Sequence, residues 1–296
     1  MAHDVRVNDG TPPRWSRYVA LGDSFTEGVG DDDPSRPHGV RGWADRVAEV
    51  LGAARGAQGL DFDYANLAIR GRKLGAVLDE QVGPALELRP DLVSVYAGGN
   101  DLMRPTVDID TLVAAYAEGL RPVVDSGAQL VLFTGFDLGW APLFGRLRGR
   151  VATYNELVRE VADDLGATLV DFWRLRDHRD PRMWAVDRIH MSALGHRRMA
   201  VAVLDALGVR HDLAWSPLPE MPPVERAARR EADRAWARAH AAPWIQRRVT
   251  GRSSGDGLTP RFPVPVRDPG AAEAPEVGLP TAGTTGAASP ERSGIV

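Results

Sequence analysis

Two hydrophobic rhythms alternate along the first two-thirds of the chain. Short unbroken apolar runs read as buried strands, and apolar positions three and four apart read as helix faces. Tyr18-Val19-Ala20-Leu21 is the first such run and stops at Gly22. Phe62-Asp63-Tyr64-Ala65, Leu92 to Tyr96, Leu130 to Phe133 and Thr168 to Phe172 follow it as strands. Between them lie Trp43, Val47 and Leu51; Leu74, Val77, Leu78 and Val82; Ile109, Leu112, Val113, Tyr116 and Leu120; and Val151, Tyr154, Leu157, Val158, Val161 and Leu165, all at helical spacing. Met199, Val203, Leu204 and Leu207 give a closing helix. Five strands separated by helices predict an α/β fold, a three-layer α/β/α sandwich around a five-stranded parallel sheet.

The rhythm sets the boundaries. Residues 1–15 read as an N-terminal arm and 16–212 as the folded domain. Residues 213–223 are proline-rich, and 225–250 are rich in Ala and Arg with Trp236, Trp244 and Ile245 as apolar anchors. Residues 213–269 therefore read as a partly helical extension, broken at Pro243. Residues 270–296 offer little to bury and are expected to be disordered.

Composition narrows the chemistry. The 296 residues are 44% apolar, enough for one core of about 200 residues plus extensions. The formal charge of −4 gives no reason to expect nucleic acid as a partner. With no cysteine, disulfides, thiolate catalysis and Cys-ligated zinc are excluded. No apolar run approaches a membrane span of about 18 residues, and the first residues lack a secretory pattern, so a cytoplasmic location is expected.

Polar glycine-containing loops leave the first three strands, where a parallel sheet collects ligands. They hold Gly22-Asp23-Ser24, Asn66 to Gly71, and Gly98-Gly99-Asn100-Asp101. Gly22 permits a tight turn that exposes the Ser24 hydroxyl. Gly71 can bring its backbone N–H close to a substrate, and Asn100 offers a side-chain amide. Further on, Asp187-Arg188-Ile189-His190 places a carboxylate where it can steady an imidazole. Each feature alone has an ordinary structural explanation. Together and in order they resemble the SGNH hydrolase family of GDSL-like lipases, esterases and acylhydrolases, over roughly residues 16–209. The matching blocks are Gly-Asp-Ser-Phe-Thr-Glu-Gly with Ser24, Asn-Leu-Ala-Ile-Arg-Gly with Gly71, Gly-Gly-Asn-Asp with Asn100, and Asp187 with His190. Phe25 replaces the leucine of the family name.

The resemblance implies a flavodoxin-like sheet and a Ser24–His190–Asp187 triad. It also implies an oxyanion hole made by Ser24, Gly71 and Asn100, a small-molecule ester or thioester substrate, and no metal or organic cofactor. Arg70 and Arg104 flank oxyanion positions and are candidates to bind an anionic substrate group. Phe136, Trp140 and Phe144 follow the fourth strand and are candidate pocket walls. His38, His178 and His196 read as surface or loop histidines. The Arg-rich stretch 225–252 is expected to pack on the domain through its tryptophans; peripheral contact with a membrane or protein is the other reading. A catalytically silent binding module is the alternative to an enzyme. Oligomeric state is not legible.

Overall fold

The computed structural model describes residues 12–140, 145–221, 225–241, 253–267 and 269. The chain runs β1 (Arg17–Gly22), α1 (Ser24–Glu27), α2 (Trp43–Gly56), β2 (Asp63–Asn66), α3 (Leu74–Val77) and α4 (Gly83–Glu87). It continues with β3 (Leu92–Tyr96), α5 (Gly99–Leu102), α6 (Ile109–Asp125), β4 (Gln129–Phe133), α7 (Arg148–Asp164) and β5 (Thr168–Val170). Then come α8 (Ala193–Ala206), α9 (Arg226–Trp236) and β6 (Phe262–Val266).

The sheet order is β5-β4-β3-β1-β2-β6. The first five strands are parallel, with Val19 beside Val93, Leu21 beside Val95 and Tyr18 beside Tyr64. Alternation along these strands feeds two cores. Val19, Leu21, Val93, Val95, Leu130 and Leu132 face Val113, Tyr116 and Leu120 of α6 and Val151, Tyr154 and Val158 of α7. Tyr18, Ala20, Val131 and Phe133 face Trp43, Val47 and Leu51 of α2 and Met199, Val203 and Leu204 of α8. The sheet is therefore covered on both faces.

One expectation is corrected. The sheet has six strands and is mixed, because β6 pairs antiparallel with the outer edge of β2, Tyr64 opposite Val266 and Asn66 opposite Phe262. Its sequence, Phe-Pro-Val-Pro-Val, does not read as a strand because proline cannot donate to a ladder. At an edge the missing N–H groups cost nothing, and the prolines blunt the edge against further pairing.

The extension also plugs the domain with Arg261, whose side chain is fully buried. It donates to the carbonyls of Glu27 at 2.8 Å and Pro37 at 2.9 Å, to Val40 O, and to Asp45 Oδ2 at 2.8 Å. The expected tail 270–296 and the break at Pro243 lie outside the described residues. Among the described residues no helix is long and apolar enough to cross a membrane.

Candidate active site

The chain passes from β1 to β2 on one side and then to β3 on the other, so the loops leaving these strands flank a crevice at the carboxyl edge of the sheet. Ser24, Gly71 and Asn100 lie on those loops.

Ser24 is buried at the start of α1. Gly22 makes the approach possible: its φ is +144°, and a Cβ there would sit 2.4 Å from Tyr96 O and 2.7 Å from Thr26 Oγ1. Asp23 then folds the turn, Oδ1 accepting from Phe25 N–H at 3.1 Å. Burial pushes the Asp23 carboxyl up to about 7, against the Phe25 hydrogen bond and the charge of His190. The Phe25 and His190 rings are 6.1 Å apart.

The second half of the site is a tight turn. Asp187 Oδ1 accepts from Ile189 N–H at 2.9 Å and His190 N–H at 3.0 Å, and Arg188 takes a left-handed φ of 55°. Asp187 Oδ2 then meets His190 Nδ1 at 2.6 Å. Burial works against the Asp187 charge, but the hydrogen bond and charge of His190 with the two backbone N–H groups lower its carboxyl to about 2. The turn is held from outside by α9. Trp236 Nε1 donates to Asp187 O at 3.0 Å, and Arg188 lies over the Trp236 ring at 5.1 Å while pairing with Asp233 at 2.6 Å.

Gly71 has φ +77°, and a Cβ there would meet Ser253 Oγ at 2.1 Å, so the extension covers this loop as well. Asn100 Nδ2 donates to Asp23 Oδ2 at 3.1 Å and to Arg72 O at 2.9 Å. It thereby ties the β2 and β3 loops to the residue before Ser24. Asp101 holds the start of α3, Oδ2 accepting from Leu74 N–H at 2.9 Å.

Arg70 is engaged by a buried carboxylate. Its backbone N–H reaches Glu27 Oε2 at 2.6 Å, and its guanidinium bonds Glu27 Oε1 at 2.9 Å through Nε and 2.5 Å through Nη2. Glu27 is fully buried and also meets His38 Nδ1 at 2.9 Å. Burial alone would raise the Glu27 carboxyl, but the bonds and charge of Arg70, with His38, hold it below its ordinary value. Sequence reasoning missed Glu27. Its signal was its position one helical turn after Ser24, where it fastens the nucleophile turn to the Gly71 loop. Arg104 is exposed just beyond α5, its carbonyl accepting from Arg150.

Phe136 belongs to an aromatic cluster beside the serine turn, 5.9 Å from Phe25, 4.7 Å from Trp184 and 5.3 Å from Phe172 between ring centres. Trp140 ends the 3₁₀ turn Leu138–Trp140, its side chain lying outside those described, as does Phe144 altogether. His178 and His196 are buried, contrary to expectation. Burial lowers them to about 4 and about 3 respectively. His196 bridges two loops by accepting from Trp43 N–H at 3.2 Å and donating to Val29 O at 3.2 Å. Among the described residues no group of three or more His, Asp or Glu is arranged to hold a metal ion.

Comparison with known proteins identifies the family and the fold. The family model of the GDSL-like lipase/acylhydrolase family matches residues 20–198. An isoamyl acetate-hydrolyzing esterase 1 homolog of Bos taurus is 27% identical over 217 residues, 66% of this chain and 83% of that protein. A multidomain esterase of Ruminococcus flavefaciens is 28% identical over 111 residues, 37% of this chain, and the match spans only 14% of that protein. Among solved structures, an α/β hydrolase enzyme from the metagenome of Lake Arreo, Spain, shares the fold. Its TM-score is 0.56 and its identity 24%, over 68% of this chain and 98% of that one.

Proposed function

The chain belongs to the GDSL-like lipase/acylhydrolase family, a family of ester hydrolases, and from that premise we propose that it cleaves carboxylic esters with Ser24 as nucleophile. The observation that carries this reading is the 2.6 Å contact between Asp187 Oδ2 and His190 Nδ1. A carboxylate kept ionised down to about pH 2 fixes the Nδ1–H tautomer. Nε2 is then the nitrogen available to exchange a proton with Ser24.

In this mechanism His190 takes the Ser24 proton as the hydroxyl oxygen attacks the acyl carbon. The oxyanion is stabilised by the Ser24 and Gly71 N–H groups and the Asn100 amide. His190 returns the proton to the leaving alkoxide, and an ester links the acyl group to Ser24. Water, deprotonated by the same imidazole, then attacks the acyl carbon; the bond to Ser24 breaks, the acid leaves, and His190 returns the proton to the Ser24 oxygen. Both Asn100 N–H groups are engaged in the free protein, so the oxyanion competes with Arg72 O or Asp23 for one of them. The acyl group is proposed to be short, in keeping with the acetate ester in the bovine relative's name, with the aromatic cluster of Phe25, Phe136 and Trp184 beside it. The same machinery would accept a thioester.

The test is hydrolysis of 4-nitrophenyl esters from acetate to palmitate by wild type and Ser24→Ala. Turnover greatest at the short end and abolished in the variant is expected. Undiminished turnover by Ser24→Ala contradicts the assignment.

A further inference from the structure

A cationic cluster stands at the same edge of the sheet as Ser24, beyond the aromatic walls. Asp137 directly follows Phe136, on the loop leaving β4. Its Oδ1 accepts from Gly139 N–H at 2.9 Å and Arg148 Nε at 2.7 Å. Its Oδ2 accepts from Arg148 Nη2 at 3.4 Å, Arg176 Nη1 at 2.7 Å and Arg179 Nη2 at 2.8 Å. Arg148 opens α7, and Arg176 and Arg179 bound the second 3₁₀ turn after β5. Three guanidinium groups from two elements therefore converge on one carboxylate.

The charge does not balance. Among the described residues none of the three pairs with a second carboxylate. The neighbouring acids are committed elsewhere: Asp171 to Arg159 and Arg174, Asp177 to Arg198, and Asp180 to Arg182. Both Asp137 oxygens are saturated, yet each guanidinium carries five N–H donors and spends only one or two here. The remaining donors belong to side chains that are about half exposed, whereas Asp137 is buried beneath them. Three like charges around one anion repel one another, and a second anion from solvent relieves that repulsion. A purely structural clamp between these loops needs only one of the arginines. Arg148 is further steadied over the Trp173 ring at 5.3 Å.

We propose that Arg148, Arg176 and Arg179, held in place by Asp137, form a subsite for an oxyanion on the substrate, a carboxylate or phosphoryl group. The enzyme then selects esters charged at a distance from the scissile bond. Phe136 packs on Phe25 beside Ser24, and the next residue, Asp137, gathers the arginines, which links the subsite to the serine turn. The inference rests on the ester-hydrolase reading for its substrate, but the anion site itself does not need turnover.

The experiment compares 4-nitrophenyl monoesters of dicarboxylic acids of four, six and eight carbons with neutral alkanoate esters of equal length. At one length or more, wild type is expected to prefer the charged ester at least tenfold in kcat/KM. That preference should fall at least tenfold in Arg176→Gln/Arg179→Gln. The ratio between the two esters is taken within one protein, so general loss of fold cancels. No preference at any length, or a preference that survives the double substitution, overturns the proposal. Inorganic phosphate and acetate serve as competitors of the charged ester. Stronger inhibition by phosphate assigns a phosphoryl ligand, stronger inhibition by acetate a carboxylate, and inhibition by neither overturns the proposal. If no ester of either series is cleaved, the hydrolase reading has failed instead. Calorimetric titration of inorganic phosphate into wild type and the double variant then decides the anion site. Binding present in the first and lost in the second supports it, and absence of binding to wild type overturns it.

Discussion

Arg261→Ala should remove a large part of the stability of this fold, although the residue lies far along the chain in the extension. The substitution deletes the only cation that Asp45 meets among the described ion pairs, and both side chains are almost completely buried. Asp45 would keep its bonds from Gly42 N–H at 2.7 Å and Tyr64 OH at 3.0 Å. Its charge would nevertheless be uncompensated, and the carbonyls of Glu27, Pro37 and Val40 would lose a donor. Breaking a buried pair by removing one partner costs about 3–5 kcal/mol. A domain of this size has about 5–15 kcal/mol in total. At about 2–4 °C per kcal/mol, the melting temperature should fall by about 10 °C. Urea unfolding of wild type, Arg261→Ala, Asp45→Asn and the double variant forms a cycle. The expected coupling is at least about 1 kcal/mol, with the double variant less damaged than the two single losses added together. A loss below about 1 kcal/mol for Arg261→Ala, or additive losses, would refute the claim that the extension is fastened through this ion pair.

Gly71→Ala should both strain a left-handed position and collide with Ser253, lowering stability and, through the displaced N–H, kcat; a Michaelis–Menten comparison with Asn100→Ala, expected to lose about 100- to 1,000-fold in kcat, checks the oxyanion assignment. Trp236→Phe removes the N–H donated to Asp187 O, a bond worth about 1 kcal/mol, and should lower kcat several-fold with little change in KM; unchanged kcat would show that α9 does not steady the turn. His178 and His196 are neutral when folded and titrate in the ordinary range when unfolded, so the unfolded chain binds more protons below about pH 6.5. Stability contributed by their burial is therefore present at neutral pH and lost as pH falls from about 6.5 towards 4 and 3, and urea midpoints measured across that window should decline.

Much of this was legible in the residues and some was not, for physical reasons. The parallel strands announced themselves because burial on both faces demands near-continuous apolar runs such as Leu92 to Tyr96. The loops leaving β1 and β3 could be placed because glycine at a strand end is a local signal of a local turn, whereas the roles of their residues came from the family resemblance. By contrast β6 was hidden, since its prolines contradict strand propensity and only the free edge of β2 makes them acceptable. The Glu27–Arg70 pair, the Arg261 plug and the Asp137 cluster were also out of reach, because ion pairs between distant segments leave no periodic trace. Arg70 looked available for substrate because its sequence neighbours say nothing of the buried carboxylate it meets. The buried histidines show the same limit: His178 and His196 sit in polar stretches and are enclosed only by tertiary packing.

The most direct test of the central claim is active-site labelling with a fluorophosphonate probe, followed by mass-spectrometric mapping of the modified peptide. The account predicts one adduct on Ser24, lost in Ser24→Ala and strongly slowed in His190→Ala. An adduct on another residue, or no adduct in a protein that still cleaves esters, would contradict it.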